Sequence, residues 1–370
     1  TWIDRGCGLE NIAEAALPEA QTRALAVRMA ASCGRRLDDA CPVVDATLPD
    51  GTRLNAVLPP LSADGTLICL RTKRRSAFTL GQLVEAGTVA PGLDSVLAAL
   101  IETRASCLIT GATGTGKTTL LAALLGLVSA TERIVCIEEA AELRPDHPHV
   151  LHLQERGDNV QGVGAVPMSA LVRTALRMRP DRIVLGECRG PEVRDVLTAL
   201  NTGHEGGWAT LHANSPADVP ARLTALGALA GLDETAVAAQ AVSALDAVIH
   251  LRRSGATGGG IAGRRSPREG TAERSSTRGS DGPDSCASPE QDAMSSRSSR
   301  TRRYVSGIGM LRRGAQGSLV CEDALVVALD GAAGTVCAVS AGPAVDRLAE
   351  RIGAAPVAAA MKGGTSWTPL

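Results

Sequence analysis

Aromatic side chains are almost missing from this chain. Its 370 residues include one Tyr, one Phe and three Trp, about 1% of the total. A surface that grips single-stranded nucleic acid by stacking needs aromatic rings interleaved with basic residues, and little of that is supplied here. Charge of either sign is not in excess. The 38 Lys+Arg against 39 Asp+Glu leave a net charge of −1, with no global pull towards nucleic acid or anionic lipid. The ten cysteines contain no Cys-x-x-Cys pair and lie mostly in apolar runs (Cys69, Cys107, Cys136), which reads as reduced, buried thiols. His147, His149 and His152 cluster without cysteine or carboxylate ligands at matching spacing, so they make no metal site. No apolar run approaches the ~20 residues of a membrane-spanning helix. No signal peptide is visible, and the chain opens on Thr-Trp-Ile-Asp without Met, which leaves room for an upstream segment.

Lysine is scarcer than its charge class suggests. Three of the 38 basic residues are Lys, leaving 38 − 3 = 35 Arg. One of the three, Lys117, ends the run Gly111-Ala112-Thr113-Gly114-Thr115-Gly116-Lys117-Thr118, followed by Thr119. This spacing is that of a phosphate-binding loop. Glycines bring the backbone amides close to phosphate oxygens, the compact ammonium reaches between the β- and γ-phosphates where a guanidinium fork would not fit, and the Thr118 hydroxyl is placed for Mg²⁺. Residues 105–110 ahead of it read as a buried strand and 118–125 behind it as a helix, so the phosphates face a helix N-terminus. The chain binds a nucleoside triphosphate on this reading, with ATP and Mg²⁺ as the expected ligands.

The composition divides the rest. Residues 1–88 read as a small α/β domain, with an amphipathic helix over 18–32 carrying Leu25, Val27, Met29 and Ala30. Strands follow at 42–48, 52–58 and 65–70, and Pro49-Asp50-Gly51 marks a hairpin turn. Residues 89–252 alternate strand-like and helix-like segments, the rhythm of a parallel sheet covered by helices. Residues 254–303, rich in Ser, Gly, Arg and Pro, read as a disordered linker dispensable for catalysis. A β-rich segment at 304–342 and a loose tail at 343–370 complete the chain.

Three further segments carry chemistry. Residues 133–143 read as a buried strand ending in Glu138 and Glu139, beside the ligand crevice of an open parallel sheet, where a carboxylate can activate the attacking water. A glutamate-rich helix N-terminus is the alternative. Residues 179–187 form a second such strand ending in Glu187, 187 − 117 = 70 residues past the loop lysine, suited to the Mg²⁺ side; its alternative is a salt bridge to Arg189. Residues 201–215 are Gly-rich and hold His204 and His212, both candidates for hydrogen-bonding a transferred phosphate. A Ser-Gly-rich transporter signature and an Asn-Lys-x-Asp base reader are both missing from the sequence, which argues against those nucleotide-binding classes.

Taken in order, the glycine loop 111–119, the acidic box 137–143, Gly186-Glu187-Cys188-Arg189-Gly190 and the histidine box 203–215 resemble the secretion-ATPase superfamily of type II and type IV secretion and pilus assembly. The tight-adherence (Flp) pilus branch is the most similar. The resemblance spans residues 1–252. It implies a RecA-like core with a smaller N-terminal α/β domain hinged onto it and ATP between the two, in a cytoplasmic homohexamer at the inner face of the membrane, working on a polytopic membrane partner. It implies Glu138 as catalytic glutamate, Glu187 as the Mg²⁺-side acid, His204 and His212 as phosphate-sensing histidines, and Arg53 and Arg71 as arginines that close on the nucleotide. Those arginines could instead merely solvate strand edges. Two positions depart from the pattern: Glu139 stands where Asp is usual, and Trp208 where a small residue is usual. The competing functions are a nucleic-acid translocase or conjugation ATPase, and a nucleotide switch without turnover.

Overall fold

The computed structural model describes residues 1–4, 9–72, 77–157, 164–254, 302–329 and 336–362. The chain begins with a short antiparallel pair, β1 (Trp2–Asp4) and β2 (Leu9–Asn11). Helix α1 (Glu19–Ser32) then packs on an antiparallel sheet of β3 (Val43–Thr47), β4 (Arg53–Val57) and β5 (Leu67–Arg71). The expected hairpin forms at Asp50-Gly51: the Gly51 amide donates to the Leu48 carbonyl at 2.8 Å, and Gly51 takes φ 86°, the left-handed region that glycine enters freely. The helix turns part of its expected apolar set inward, Ala30 and Met29, and leaves Val27 out. Ala26 and Ala30, one turn apart, are buried against Val44, Leu54 and Ala56, whereas Val27 is exposed. Small residues win there because they let helix and sheet approach closely.

The larger core is a nine-stranded sheet in the order β14-β13-β12-β11-β6-β10-β9-β7-β8. Its strands are β6 (Cys107–Gly111), β7 (Ile134–Glu138), β8 (Val150–Gln154), β9 (Arg182–Cys188), β10 (Trp208–Leu211), β11 (Ala247–Arg253), β12 (Arg303–Arg313), β13 (Leu319–Leu329) and β14 (Val336–Ala341). From β11 to β8 all neighbours are parallel; β12, β13 and β14 extend the β11 edge antiparallel. Strand residues alternate between two apolar layers. Cys107, Ile109, Ile134, Cys136 and Trp208 join α2 (Leu80–Glu85), α3 (Leu93–Glu102) and α4 (Lys117–Leu125) on one face. Leu108, Val135, Ile137, Ala209 and Leu211 join α5 (Met168–Ala175), α6 (Glu192–Asn201), α7 (Val219–Leu229) and α8 (Glu234–Ala244) on the other. Period-2 alternation thus places one α/β/α sandwich around the central strands. This is the α/β class that the glycine loop and its flanks predict.

The structure departs from the expected organisation in four places. Leu80 and Leu83 pack in the large core, so its cluster begins ahead of residue 89. The β-rich segment is continuous with the core sheet through β11 and β12. Cys69 is exposed on β5, unlike buried Cys107 and Cys136. Finally, much of the tail is not loose: α9 (Val345–Ile352) and α10 (Ala354–Lys362) bury Leu348, Ile352, Val357 and Ala360. Arg351 Nε pairs with Asp246 Oδ1 at 2.6 Å and its Nη1 donates to the Thr103 carbonyl at 3.1 Å, which ties α9 to the sheet edge. Helix α10 crosses α3 at Gly92, where a Cβ would lie 2.6 Å from the Ala359 carbonyl oxygen. The linker expected at 254–303 falls largely outside the described residues. Its ends do not: the Ser254 amide donates to the Arg302 carbonyl at 2.7 Å, and Arg303 belongs to β12.

Each fully buried Leu, Ile or Val side chain stabilises a fold by about 1.5–3 kcal/mol, against a total of about 5–15 kcal/mol. Truncation after residue 342 therefore removes a large fraction of the stability and leaves Asp246 without its guanidinium. We expect the truncated chain to aggregate, or to melt well below the full chain in thermal unfolding. A midpoint within about 2 °C of the full chain would contradict this packing, since even 1 kcal/mol shifts a domain of 150–250 residues by about 2–4 °C.

Candidate nucleotide site

The parallel register brings distant sequence positions to one sheet edge. Leu211 pairs with Thr110 and with Cys188, and Ile137 pairs with Leu185. The C-terminal ends of β6, β10, β9 and β7 therefore stand side by side, and Lys117, His212, Glu187 and Glu138 converge there. Gly114 and Gly116 hold φ 73° and 99°, conformations that a side chain would strain. Gly111 cannot carry a Cβ either: one would lie 2.6 Å from the Leu251 carbonyl oxygen of β11. Lys117 is buried; its Nζ donates to the carbonyls of Gly111 at 3.0 Å and Ala112 at 3.2 Å and lies 3.4 Å from His212 Nδ1. Burial lowers the Lys117 pKa, opposed by the Glu187 carboxylate.

Within the loop, Thr113, Gly114, Gly116, Lys117, Thr118 and Thr119 face a cavity of about 410 Å³. Gly111, Ala112 and Thr115 do not line it. Thr115 is buried and its hydroxyl donates to the Ala112 carbonyl at 2.9 Å, so these residues shape the loop from within.

Glu138 is buried at the end of β7. Its Oε1 accepts from the amides of Glu142 and Leu143, both at 2.8 Å, while Oε2 has no hydrogen-bond partner among the described residues and stands 3.8 Å from His152 Nδ1. Gly186 makes room for this carboxylate, since a Cβ there would lie 2.7 Å from Glu138 Cγ. No helix follows β7 before β8, so the helix-terminus alternative for Glu138 falls away. Glu187 Oε2 accepts from Arg189 Nη2 at 2.8 Å, and Arg189 Nη1 reaches Glu139 Oε2 at 2.7 Å. The Glu187–Arg189 salt bridge thus forms, yet Glu187 still lines the cavity. His212 Nε2 approaches Glu187 Oε1 to 2.7 Å without the alignment of a hydrogen bond. Burial and then the Lys117 charge lower the His212 pKa, outweighing Glu187, so a neutral imidazole faces the loop.

Arg53 and Arg71 are direct cross-strand partners on β4 and β5, and both line the same cavity from the small sheet. Arg53 Nη1 stands 3.8 Å from Glu142 Oε1. His204 is placed elsewhere. It precedes β10, whose four residues at about 3.3 Å each separate it from the edge where His212 lies, and it does not line the cavity. The two histidines of one Gly-rich segment were expected together; a strand between them sends them to opposite ends of the sheet. Trp208 belongs to that strand and is buried in the core, so its bulk is absorbed by packing rather than by the loop.

Several residues at the site were not assigned to it from the sequence. His152, read there only as a rejected metal ligand, stands beside Glu138, while Arg144 and, from β12, Arg303 line the cavity. The Arg-Arg dyads at 252–253 and 302–303, one on each side of the Ser/Gly/Arg-rich stretch, were the available signal for Arg303. His250 on β11 lies 2.8 Å from the Thr110 hydroxyl under the loop, and burial, with Arg252 next, lowers its pKa to about 4. An unfolded histidine titrates near 6.5, so the unfolded chain binds more protons between those values and stability falls as pH drops through that window. Between pH 7 and 5 this amounts to about 2 kcal/mol. Denaturant titrations should therefore show the wild type losing about that much more stability than His250→Gln over the same interval; equal losses would mean His250 is charged in the fold.

Known proteins are similar to this chain. The profile of the family described as type II/IV secretion system protein matches residues 4–297. A putative conjugal transfer protein of Mycobacterium tuberculosis is 50% identical over 258 residues, covering 68% of this chain and 73% of that protein. The type IV secretion system protein PtlH of Bordetella pertussis is 35% identical over 249 residues, covering 60% of this chain and 72% of its own length. Among solved structures, the VirB11 ATPase from the Brucella suis type IV secretion system aligns over 68% of this chain and 83% of that one, with 25% identity and a TM-score of 0.38. No helix among the described residues is long and apolar enough to cross a membrane. With its profile match running through the glycine loop, both acidic strand ends and the histidine box, the chain belongs to the type II/IV secretion system protein family of ATP-binding secretion ATPases.

Proposed function

We propose that this chain hydrolyses ATP as a homohexameric motor, powering pilus assembly or secretion from the cytoplasmic face of the inner membrane, against a polytopic membrane partner. One observation carries the reading: a single cavity is lined on one side by the glycine loop, Glu138 and Glu187 and on the other by Arg53 and Arg71. The loop amides and Lys117 hold the phosphates. Glu138 Oε2, free of backbone amides, orients the attacking water, while Oε1 keeps the carboxylate in place. His212, neutral beside Lys117, faces the transferred phosphate. The Thr118 hydroxyl and the Glu187 carboxylate are hard oxygen donors suited to Mg²⁺, which when bound offsets phosphate charge. The β3–β5 sheet with α1 and the nine-stranded core with its helices act as two domains, and closure of the small one on the nucleotide turns hydrolysis into rigid-body motion.

Arg53 and Arg71 test the closure directly. Planar, permanently charged forks suit bidentate capture of phosphate. Arg71→Ala, and less strongly Arg53→Ala, should lower ATP turnover while the circular dichroism spectrum and oligomer size stay as in the wild type. Size-exclusion chromatography with a non-hydrolysable ATP analogue should give a species near six subunits. A monomer, with full activity in both variants, would rule out the closing ring. The name of the Mycobacterium tuberculosis relative favours a second reading, a conjugation ATPase or nucleic-acid translocase. Stimulation of ATPase activity by DNA would support that reading; no stimulation supports the protein-directed motor.

A further inference from the structure

Arg253 and Arg303 face each other directly across the β11–β12 ladder, at the end that meets the glycine loop. Like charges opposite one another destabilise an antiparallel pair. Neither guanidinium has an acidic partner among the described residues, whereas the acids of the cavity are engaged elsewhere. Glu139 and Glu187 share Arg189, Glu142 lies by Arg53, and Glu138 is held by backbone amides. Both arginines reach the loop: a Cβ at Gly114 would lie 3.8 Å from Arg253 Nη1, and one at Gly116 would lie 3.8 Å from Arg303 Cδ. Strand β11, which carries Arg253 and pairs with Arg303 on β12, is locked to the loop because Gly111 packs against the Leu251 carbonyl. Arg303 itself lines the cavity, together with the Arg53–Arg71 pair.

We propose that Arg253 and Arg303 form a second arginine clamp on the polyphosphate chain of the bound nucleoside triphosphate, carried by the core sheet and acting with the glycine loop. This rests on the reading of the loop as a nucleoside triphosphate site. An anion between the two guanidinium groups removes the repulsion that the ladder otherwise imposes, so the ligand both receives charge-assisted hydrogen bonds and relieves a local conflict. The arginines are positioning residues: they hold the phosphates in the loop and do not touch the attacking water.

The test uses the full chain as wild type, Arg253→Gln, Arg303→Gln, the double variant, Arg303→Lys and Lys117→Ala. Each is titrated with a fluorescent ATP analogue at several salt concentrations and melted with and without inorganic tripolyphosphate. Each Gln variant should bind ATP roughly tenfold more weakly, with a shallower salt dependence, as expected for one lost charge-assisted contact. Arg303→Lys should keep part of that affinity, because charge remains and only the fork is lost. Ligand-free melting should be unchanged or raised in the Gln variants, while the rise produced by tripolyphosphate shrinks. Wild-type affinity in both Gln variants, with binding lost in Lys117→Ala, would overturn the clamp and leave the nucleotide site standing. A ligand-free melting point that falls in step with affinity would assign the arginines a structural role and also overturn the clamp. If the wild type binds no ATP, the clamp and the proposed function fall together.

Discussion

Lys117→Ala should lower ATP turnover by about 100- to 1,000-fold or more, the scale on which preorganised electrostatic groups at a reacting centre act. Lys117 is buried at the loop, and its Nζ lies among the Gly111 and Ala112 carbonyls and the His212 ring. An ammonium held there can swing onto phosphate oxygens with little reorganisation. The measurement is steady-state phosphate release, alongside far-UV circular dichroism to separate lost chemistry from lost fold. Wild-type turnover in the variant would move the active site elsewhere and end the proposed function.

Glu138→Gln should abolish hydrolysis almost as completely, by about 100- to 10,000-fold, while ATP binding stays within a few-fold of wild type. The geometry explains why the two can separate. A glutamine carbonyl can still accept from the Glu142 and Leu143 amides, so the loop after β7 keeps its shape. Only the basic oxygen at the Oε2 position is lost. Glu187→Gln should differ in kind: it weakens Mg²⁺-dependent binding as well, and it loosens Arg189, which bridges Glu187 and Glu139. Binding titrations with and without Mg²⁺, set beside turnover, distinguish the two. Mild and equal effects in both variants would show that these carboxylates only support backbone and arginine.

Local sequence alone was enough to specify the glycine loop, its flanking strand and helix, the small-domain hairpin and the two acidic strand ends. Each is encoded within about ten consecutive residues. Glycines at left-handed φ, a Pro-Asp-Gly turn and apolar runs ending in Glu need no distant partner to be read. The order of those motifs also sufficed to suggest the family. Where packing chooses between equivalent local patterns, the sequence was silent. The tail was misread because its helical spacing of Val345, Leu348 and Ile352 was passed over, and because the surfaces it docks on, at Gly92, Asp246 and the core cluster, lie far away in sequence. His204 and His212 looked equivalent, eight residues apart, until β10 carried them to opposite ends of the sheet. The Arg-Arg dyads at 252–253 and 302–303 mark Arg303, but only the pairing of β11 with β12 sets Arg303 opposite Arg253 and brings it to the site. Strand order and register couple residues far apart in sequence, and that coupling is a property of the assembled sheet, so only the tertiary structure decided which arginines and which histidine meet at the phosphate loop.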